Sequence, residues 1–318
     1  MAAFGAGQAA EGIKGTAFNT FLLFYYQQIL GIPGFYTGLA LAIALVFDAI
    51  TDPVAGSLSD KVRTRWGRRH PFLMLSALPL GFAFFALFNP PGSFSELGLF
   101  IWLTCFAVLI RGCLTFYHVP HLALGAEMAE DYNQRSTLFA FSTLFSALGG
   151  ALLAFASYRL FFPTTETYDP GLLNPDGYTG FSLLAGGAAV LSILVCVAGT
   201  WREIPHLKTP PPSPPFNPRA VLRELVELFG NSSFRALFVG MLLATTSLAV
   251  EAVFGPYMSL HFWGLSTEQL SVLPLVLVVG LVLSVPLTPV ATRYLDKKRA
   301  VVILAILTVI NMNGMTVL

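Results

Sequence analysis

Nine uninterrupted apolar stretches constrain this chain more than any other feature of its sequence. They cover approximately residues 13–31, 35–58, 71–89, 97–120, 137–161, 178–200, 236–262, 268–292 and 299–318. Each is close to the roughly 20 residues that a helix needs to cross the bilayer core, and none alternates as a barrel strand would. Charged residues make up 11% of the chain, against about 25% in soluble domains. We therefore predict an all-α integral membrane protein with nine transmembrane helices, called spans 1 to 9.

The positive charges predict how these spans are oriented. Of the 18 lysines and arginines, 15 follow spans 2, 4, 6 and 8. Cations concentrate in the cytoplasmic loops of membrane proteins. We therefore predict a multi-pass protein of the cell membrane whose N-terminus and even-numbered loops are cytoplasmic.

Composition and motifs exclude several other classes of protein. A net charge of +1 provides no basic face for nucleic acid. The three cysteines are scattered through apolar stretches, so they form neither a disulfide framework nor a metal site. No Gly-Lys-Ser/Thr phosphate loop and no catalytic triad spacing is present. We expect neither an enzyme nor a bound cofactor, and any transport energy should come from an ion gradient.

An internal repeat predicts the domain organisation. Residues 52–63 and 288–299 match at six of twelve aligned positions, and each copy covers the end of an even-numbered span and its following loop. An offset of six spans is typical of two six-helix units in parallel orientation. We predict an N-terminal six-helix bundle (1–200), a Pro-rich cytoplasmic linker (201–235) and the first three helices of a second bundle (236–318). Three further helices would complete that bundle, so we expect a fragment of a twelve-helix protein; a natural nine-helix protein is the alternative.

Ionisable side chains deep inside a span are candidates for function, because they are costly in the membrane. Four occur here: Asp48 and Asp52 in span 2, Arg111 in span 4 and Glu251 in span 7. The two aspartates are four residues apart and share one helix face. At 1.5 Å per residue they lie about 20 and 26 Å below the outer end of span 2. The same arithmetic places Arg111 and Thr115 about 21 and 27 Å down span 4, at matching depths.

These groups predict a cation site. Pro53 cannot donate a hydrogen bond, so it frees the carbonyl of Ala49 one turn earlier. Together with the carboxylates of Asp48 and Asp52 and the hydroxyl of Thr115, this carbonyl provides oxygen ligands for Na⁺. Alternatively, the neighbouring carboxylates raise each other's pKa and one carries H⁺.

A purely structural interpretation of the same charges stays open. In it, Asp48 or Asp52 neutralises Arg111 and fixes two helices together. Both interpretations hold if Arg111 becomes the countercharge when the cation leaves. Glu251 either lines a cavity or hydrogen-bonds a neighbouring helix, and His118 lies near a helix end, where a structural role is common.

The loop after span 2 resembles the loop 2–3 signature of the major facilitator superfamily. The resemblance lies in Gly56-x-x-x-Asp60-Lys61 followed by Arg65-Trp66-Gly67-Arg68-Arg69. It implies that Gly56 permits close helix approach, that Asp60 and the arginines form salt bridges, and that these break during alternating access. The implied cytoplasmic gate therefore comprises Gly56, Asp60, Arg65, Gly67, Arg68 and Arg69.

The longer string Asp48-Ala-Ile-Thr51-Asp52-Pro-x-x-Gly56 resembles the glycoside–pentoside–hexuronide:cation symporter family. This resemblance implies a major facilitator fold and places Asp48, Thr51, Asp52 and Thr115 at the cation-site positions. The sugar positions match poorly. An aspartate expected in span 1 is Gly12, one expected in span 4 is His118, an arginine expected in span 5 falls near Thr143, and an expected aromatic residue is Leu122.

The sequence as a whole predicts a secondary transporter coupled to Na⁺ or H⁺. Its expected partners are the lipid bilayer, a monovalent cation and a small solute, by family resemblance a sugar or glycoside, and it is expected to be a monomer. One alternative is a symporter of the same fold for lysolipids or other amphipathic solutes. Another is a truncated, non-transporting membrane protein.

Overall fold

The computed structural model describes residues 1–129, 132–206 and 226–294, with residues 223, 299, 302, 303 and 306 as isolated positions. Its α-helices are α1 (Ala2–Gly7), α2 (Ala9–Thr16), α3 (Gly34–Lys61), α4 (His70–Leu87), α5 (Glu96–Met128), α6 (Tyr132–Leu160), α7 (Gly177–Thr200), α8 (Ser232–Tyr257) and α9 (Thr267–Tyr294). Two π-helical segments, Ala17–Leu22 and Tyr25–Ile29, follow α2, and a third, Met258–Phe262, follows α8. Short 3₁₀ turns cover Gly171–Leu173 and Trp201–His206.

These helices confirm the prediction of an all-α membrane fold. In the described part of the chain, six of them, α3 to α8, are long and apolar enough to cross a bilayer. The first eight predicted spans coincide with helical segments. Span 9 (299–318) lies almost entirely outside the described residues, as does the Pro-rich stretch 209–215. The count of nine spans and the domain boundaries therefore stay predictions.

By its internal contacts the chain divides into two units, Met1–Leu275 and Val276–Leu318. The candidate site lies entirely within the first unit. The second copy of the repeat falls in the second unit, where residues 288–294 are helical and residues 295–298 lie outside the described part of the chain.

The first span is a central element of the N-terminal bundle. Most of its large apolar side chains are buried, as at Phe18, Phe21, Phe24 and Tyr26, which is typical of a helix largely surrounded by others. The sequence predicts one regular helix over 13–31. In the structure the helical region starts at Ala2, is interrupted at residue 8 and includes two π-helical segments.

The fourth span continues beyond the predicted end. Pro120 lies inside α5, which extends to Met128. A Cβ at Gly125 would lie 2.5 Å from the ring of Phe4, so the last turns of α5 pack closely against α1. His121 hydrogen-bonds the carbonyl of Phe4 at 3.0 Å in the same contact. This packing stabilises the helix past a proline that removes one backbone hydrogen bond.

Small residues bring the backbones of α2 and α6 into contact. A Cβ at Gly12 would lie 1.8 Å from the carbonyl oxygen of Ser146, and one at Gly149 would lie 2.7 Å from the carbonyl oxygen of Ala9. Helices in membranes associate through such close contacts between small residues. The packing leaves no space for a side chain at position 12.

Gly12→Ala should therefore destabilise the protein, whereas Gly15→Ala should not. The new methyl group at position 12 collides with backbone and forces α2 and α6 apart, which typically costs about 1–3 kcal/mol. Gly15 lies on the same helix, and a Cβ there has nothing within 4 Å. We expect a melting temperature several degrees lower for Gly12→Ala in detergent and an unchanged or higher one for Gly15→Ala. Equal shifts would contradict the close packing of α2 and α6.

Candidate functional site

The candidate site is built on a parallel pair of helices in a fixed register. Asp48 on α3 contacts Arg111 on α5, and Asp52 contacts Thr115, so both pairs are 63 residues apart. Both helices advance by four residues between the two contacts, which means that they run in the same direction. This direction is the one predicted for two even-numbered spans. The register brings together the groups that the sequence places at matching depths.

The first pair is an ion pair in the apolar part of the bundle. Arg111 Nη1 lies 2.5 Å from Asp48 Oδ2, and the two side chains are only 14% and 24% exposed. The guanidinium group also lies 5.7 Å from the centre of the Phe18 ring. Two buried atoms of the pair, Asp48 Oδ1 and Arg111 Nε, have no hydrogen-bond partner within the described part of the chain. Buried polar atoms of this kind are costly unless another group satisfies them.

The second pair is a hydrogen bond one helical turn further along. Thr115 Oγ1 donates to Asp52 Oδ1 at 2.8 Å. Thr115 is buried and Asp52 is exposed on the surface of the bundle. Pro53 lies inside α3 and has no N–H group, so the carbonyl of Ala49, one turn earlier, receives no helical hydrogen bond from it. Ala49 lies on an exposed part of the helix. Carboxylate and hydroxyl oxygens therefore meet between α3 and α5, and the carbonyl oxygen of Ala49, next to Asp48 in the chain, is left without its helical hydrogen bond.

Thr51 does not join these contacts. Its hydroxyl donates to the backbone carbonyls of Phe47, at 2.9 Å, and Asp48, at 3.4 Å. A Thr hydroxyl in a helix commonly bonds the preceding turn in this way. The structure brings Asp48, Asp52, Arg111 and Thr115 together but leaves the Thr51 hydroxyl hydrogen-bonded to its own helix.

The other cavity candidates lie outside this four-residue cluster. His118 is half-buried, and its Nδ1 lies 3.4 Å from Nε2 of Gln8, at the interruption between α1 and α2. Lys14 and Glu11 form an ion pair on α2. Glu251 is exposed on α8 and has no hydrogen bond to any described residue. The interhelical hydrogen bond considered for Glu251 is therefore not seen within the described chain.

Arg69 is the centre of the predicted cytoplasmic gate. It is 5% exposed and pairs with Asp60 at 2.6 Å and with Glu127 at 2.8 Å. It also donates to the hydroxyl of Ser59 at 2.6 Å. Arg68 reaches the same oxygen of Glu127 at 2.7 Å. This cluster ties the loop after α3 to the end of α5.

Glu127 is a functional candidate that the sequence reasoning missed. It pairs with both arginines, whereas Asp60 pairs only with Arg69. The prediction ended span 4 at residue 120, which put Glu127 in a loop. An available signal was its carboxylate at the cytoplasmic end of span 4, facing a loop that carries five cations.

The remaining gate residues have distinct roles. Gly67 has a positive φ of 80° in a turn closed by Thr64, whose hydroxyl donates to its carbonyl at 2.8 Å. Arg65 is exposed and stacks on Trp66. A Cβ at Gly56 would meet Val119 at 3.6 Å, an ordinary contact distance. Position 56 would therefore accommodate a methyl group in this structure, and the role of Gly56 in the gate stays a prediction.

Comparison with known proteins identifies the family. The family model described as MFS/sugar transport protein matches residues 3–318. The chain belongs to this family. Membership of this family confirms the predicted major facilitator fold and agrees with a multi-pass membrane protein.

The relatives of this chain are named as symporters and carriers. The inner membrane symporter YicJ of Escherichia coli is 28% identical over 85% of this chain and 55% of that protein. The glucuronide carrier protein homolog of Escherichia coli is 25% identical over 96% of this chain and 64% of that protein. The sodium-dependent lysophosphatidylcholine symporter 1 of Xenopus tropicalis is 31% identical over 47% of this chain and 28% of that protein. The chain therefore spans less than two thirds of the length of these relatives.

Glu127→Gln should destabilise the protein more than Asp60→Asn. Glu127 is 15% exposed and neutralises two arginines, so its loss leaves Arg69 buried with an incomplete set of partners. Breaking a buried pair in this way typically costs about 3–5 kcal/mol. Asp60 is 34% exposed, and a pair near the surface is typically worth about 1 kcal/mol or less.

The measurement is the melting temperature of the two variants in detergent, with Arg65→Gln as the control. Arg65 belongs to the same loop but is exposed and stacks only on Trp66, so its loss should be nearly neutral. A larger loss for Asp60→Asn than for Glu127→Gln would contradict the central position of Glu127.

Proposed function

We propose that this protein is a cation-coupled symporter in which α3 and α5 hold the coupling ion. Asp48, Asp52 and Thr115 supply its oxygen ligands, and Arg111 is the countercharge. The ion is Na⁺ or H⁺. The support is the geometry of the two contacts at one register, together with relatives that are named symporters.

The single observation that carries this proposal is the unequal pairing of the two aspartates. Arg111 neutralises Asp48, whereas among the described residues Asp52 forms no ion pair and accepts a hydrogen bond from the uncharged hydroxyl of Thr115. The cluster of Asp48, Asp52 and Arg111 therefore contains two negative charges and one positive charge. Uncompensated charge is expensive at membrane depth. One monovalent cation, as Na⁺ or as a proton on a carboxylate, makes the cluster neutral.

Neutralisation links ion binding to conformational change. A ligand shifts an equilibrium only by its difference in affinity between the two states. The cation therefore favours the state in which Asp48, Asp52 and Thr115 face one another. When it leaves, Arg111 can interact with both carboxylates, because its Nε has no partner in the present arrangement. In transporters of this fold, such a bias acts on the rocking of one helix bundle against the other.

Two classes of substrate are candidates. A sugar or glycoside follows from the family description and the glucuronide carrier homolog. A lysolipid is the second candidate, favoured by the lysophosphatidylcholine symporter among the relatives and by the packing at Gly12. The carboxylate that sugar recognition would place at position 12 has no space there, since a Cβ would already collide with Ser146.

Asp52→Asn should abolish the stabilising effect of the coupling cation. In the parent protein, Na⁺ in place of choline at constant ionic strength should raise the melting temperature, or acid should do so if H⁺ is the ion. A ligand at 100 times its dissociation constant stabilises by about 2.7 kcal/mol. Asp52 is outside the ion pair, so Asp52→Asn removes a cation ligand without leaving Arg111 unpaired.

Three further variants serve as controls for this measurement. Thr115→Val should weaken cation affinity about tenfold or more, whereas Thr51→Val should change it little, because the Thr51 hydroxyl bonds its own backbone. Asp176→Asn, at the start of α7, should respond to cations like the parent. A full response to both Na⁺ and acid in Asp52→Asn would rule out the proposed cation site.

Uptake into vesicles separates the substrate candidates. We expect accumulation of either labelled glycosides or labelled lysophosphatidylcholine when an inward Na⁺ or H⁺ gradient is imposed, and no accumulation without the gradient. Asp52→Asn should lose the gradient dependence. If neither substrate accumulates under either gradient, the protein is not a symporter for these classes, and the non-transporting alternative is favoured.

A further inference from the structure

A second polar network lies at the opposite end of the bundle from Arg69. It joins the loop between α6 and α7 to the first turn of α9. The backbone N–H of Thr164 donates to one carboxylate oxygen of Glu268 at 2.9 Å, and the Thr164 hydroxyl donates to the other at 3.2 Å. Both oxygens of Glu268 are therefore used by one loop residue. Hydrogen bonds to a carboxylate are stronger than those between neutral groups.

The next residues of α9 continue the same network. The hydroxyl of Thr267 lies 3.2 Å from that of Thr164 and accepts from the N–H of Gly171 at 3.1 Å. Arg159, at the end of α6, donates to the hydroxyl of Ser271 at 3.2 Å. Thr267 and Ser271 are fully buried, so these contacts exclude water.

The loop side of this network is rigid. The hydroxyl of Tyr178 on α7 donates to the carbonyl of Leu172 at 3.0 Å. A Cβ at Gly171 would lie 2.3 Å from the carbonyl oxygen of Phe162, whose side chain is fully buried. The loop cannot follow a movement of α9 without breaking this packing. Separation of α9 from the loop therefore has to break the hydrogen bonds of Glu268 and Thr267.

The network connects the two halves predicted from the internal repeat. Helices α6 and α7 belong to the first predicted bundle, and α8 and α9 belong to the second. Nearby, the hydroxyl of Tyr257 on α8 lies 3.4 Å from Oε1 of Gln27, and its ring packs on Phe24. Among the residues that the structure describes, these hydrogen bonds between the halves lie at the end predicted to be extracellular.

We propose that Glu268 and Thr267 form the outer gate of this transporter, closed here against Thr164 and Gly171. The gate rests on the proposed function, because only an alternating-access transporter has to open at this end. Glu268 is the positioning residue: its carboxylate holds the loop, and its loss shifts the population toward the outward-open state.

The test is the rate at which an impermeant maleimide labels a cysteine reporter from outside. Asn19→Cys is the reporter, because Asn19 is polar and exposed on the segment Ala17–Leu22 that contacts α8. It is introduced into the full-length protein with Cys105, Cys113 and Cys196 replaced by Ala, in right-side-out vesicles. We expect Glu268→Gln and Thr267→Val to raise the labelling rate at least fivefold.

Matched variants separate gating from a general loss of structure. Thr267→Ser keeps the hydroxyl and should label like the parent. Glu166→Gln makes the same chemical change on the same loop, where Glu166 is exposed, and should have no effect. In a protein that keeps buried Cys196 as the sole cysteine, Glu268→Gln should leave labelling unchanged.

A rate for Glu268→Gln within twofold of the parent, or an equal increase in Glu166→Gln or at Cys196, would overturn the outer gate. The labelling needs neither cation nor substrate. Its failure would leave the cation site on α3 and α5 intact, and failure of the cation site would leave the labelling result valid.

Discussion

The parallel register of α3 and α5 is the constraint on which the rest of the account depends. It places Asp48 beside Arg111 and Asp52 beside Thr115 at the same depth. In a medium of low dielectric constant, two carboxylates and one guanidinium group cannot be separated without a large cost. A shift of one residue between these helices would turn the aspartates away from their partners. The register therefore stabilises the helix pair, and under the proposed function it also determines the affinity for a cation.

Two other polar clusters lie at the ends of this arrangement. At one end, Arg69 and Glu127 fix the loop after α3 to the end of α5. A change in the register of these helices would therefore move the partners of this ion pair relative to each other. At the other end, Glu268 fixes α9 to the loop between α6 and α7. The proposed cation site on α3 and α5 thus lies between one cluster within the six-helix bundle and one that joins the two predicted halves. The proposed ion-coupled alternating-access cycle would use both clusters.

Most of the fold and the centre of the site follow from sequence because they depend on strong, local signals. Long apolar stretches define the spans, and a rise of 1.5 Å per residue suffices to place Asp52 level with Thr115. The features that the sequence did not predict depend on packing between residues that are far apart in the chain. Glu127 was missed because contacts of α5 with Phe4 continue the helix past Pro120. The π-helical segments of the first span were also missed, because no pattern in their amino-acid sequence distinguishes them from an α-helix.

The side chains also show where a motif match stops being informative. Thr51 occupies a cation-site position in the family string, and its place in the cation site stays a prediction: its hydroxyl hydrogen is donated to its own helix, which the sequence does not encode, while its oxygen keeps lone pairs. Gly12 was identified as a missing acidic group, and the structure gives the physical reason: the backbone of α6 occupies that space.

The central claim is that Asp48 and Asp52 take up one monovalent cation. Infrared difference spectroscopy of the purified protein in lipid tests it most directly, because the carboxylate stretching bands report both Na⁺ coordination and protonation. We expect a carboxylate difference signal on adding Na⁺ at constant pH or on lowering the pH without Na⁺, and the loss of the component due to Asp48 and Asp52 in the double variant Asp48→Asn, Asp52→Asn. A signal as large in the double variant as in the parent, for both ions, would contradict the proposed cation site.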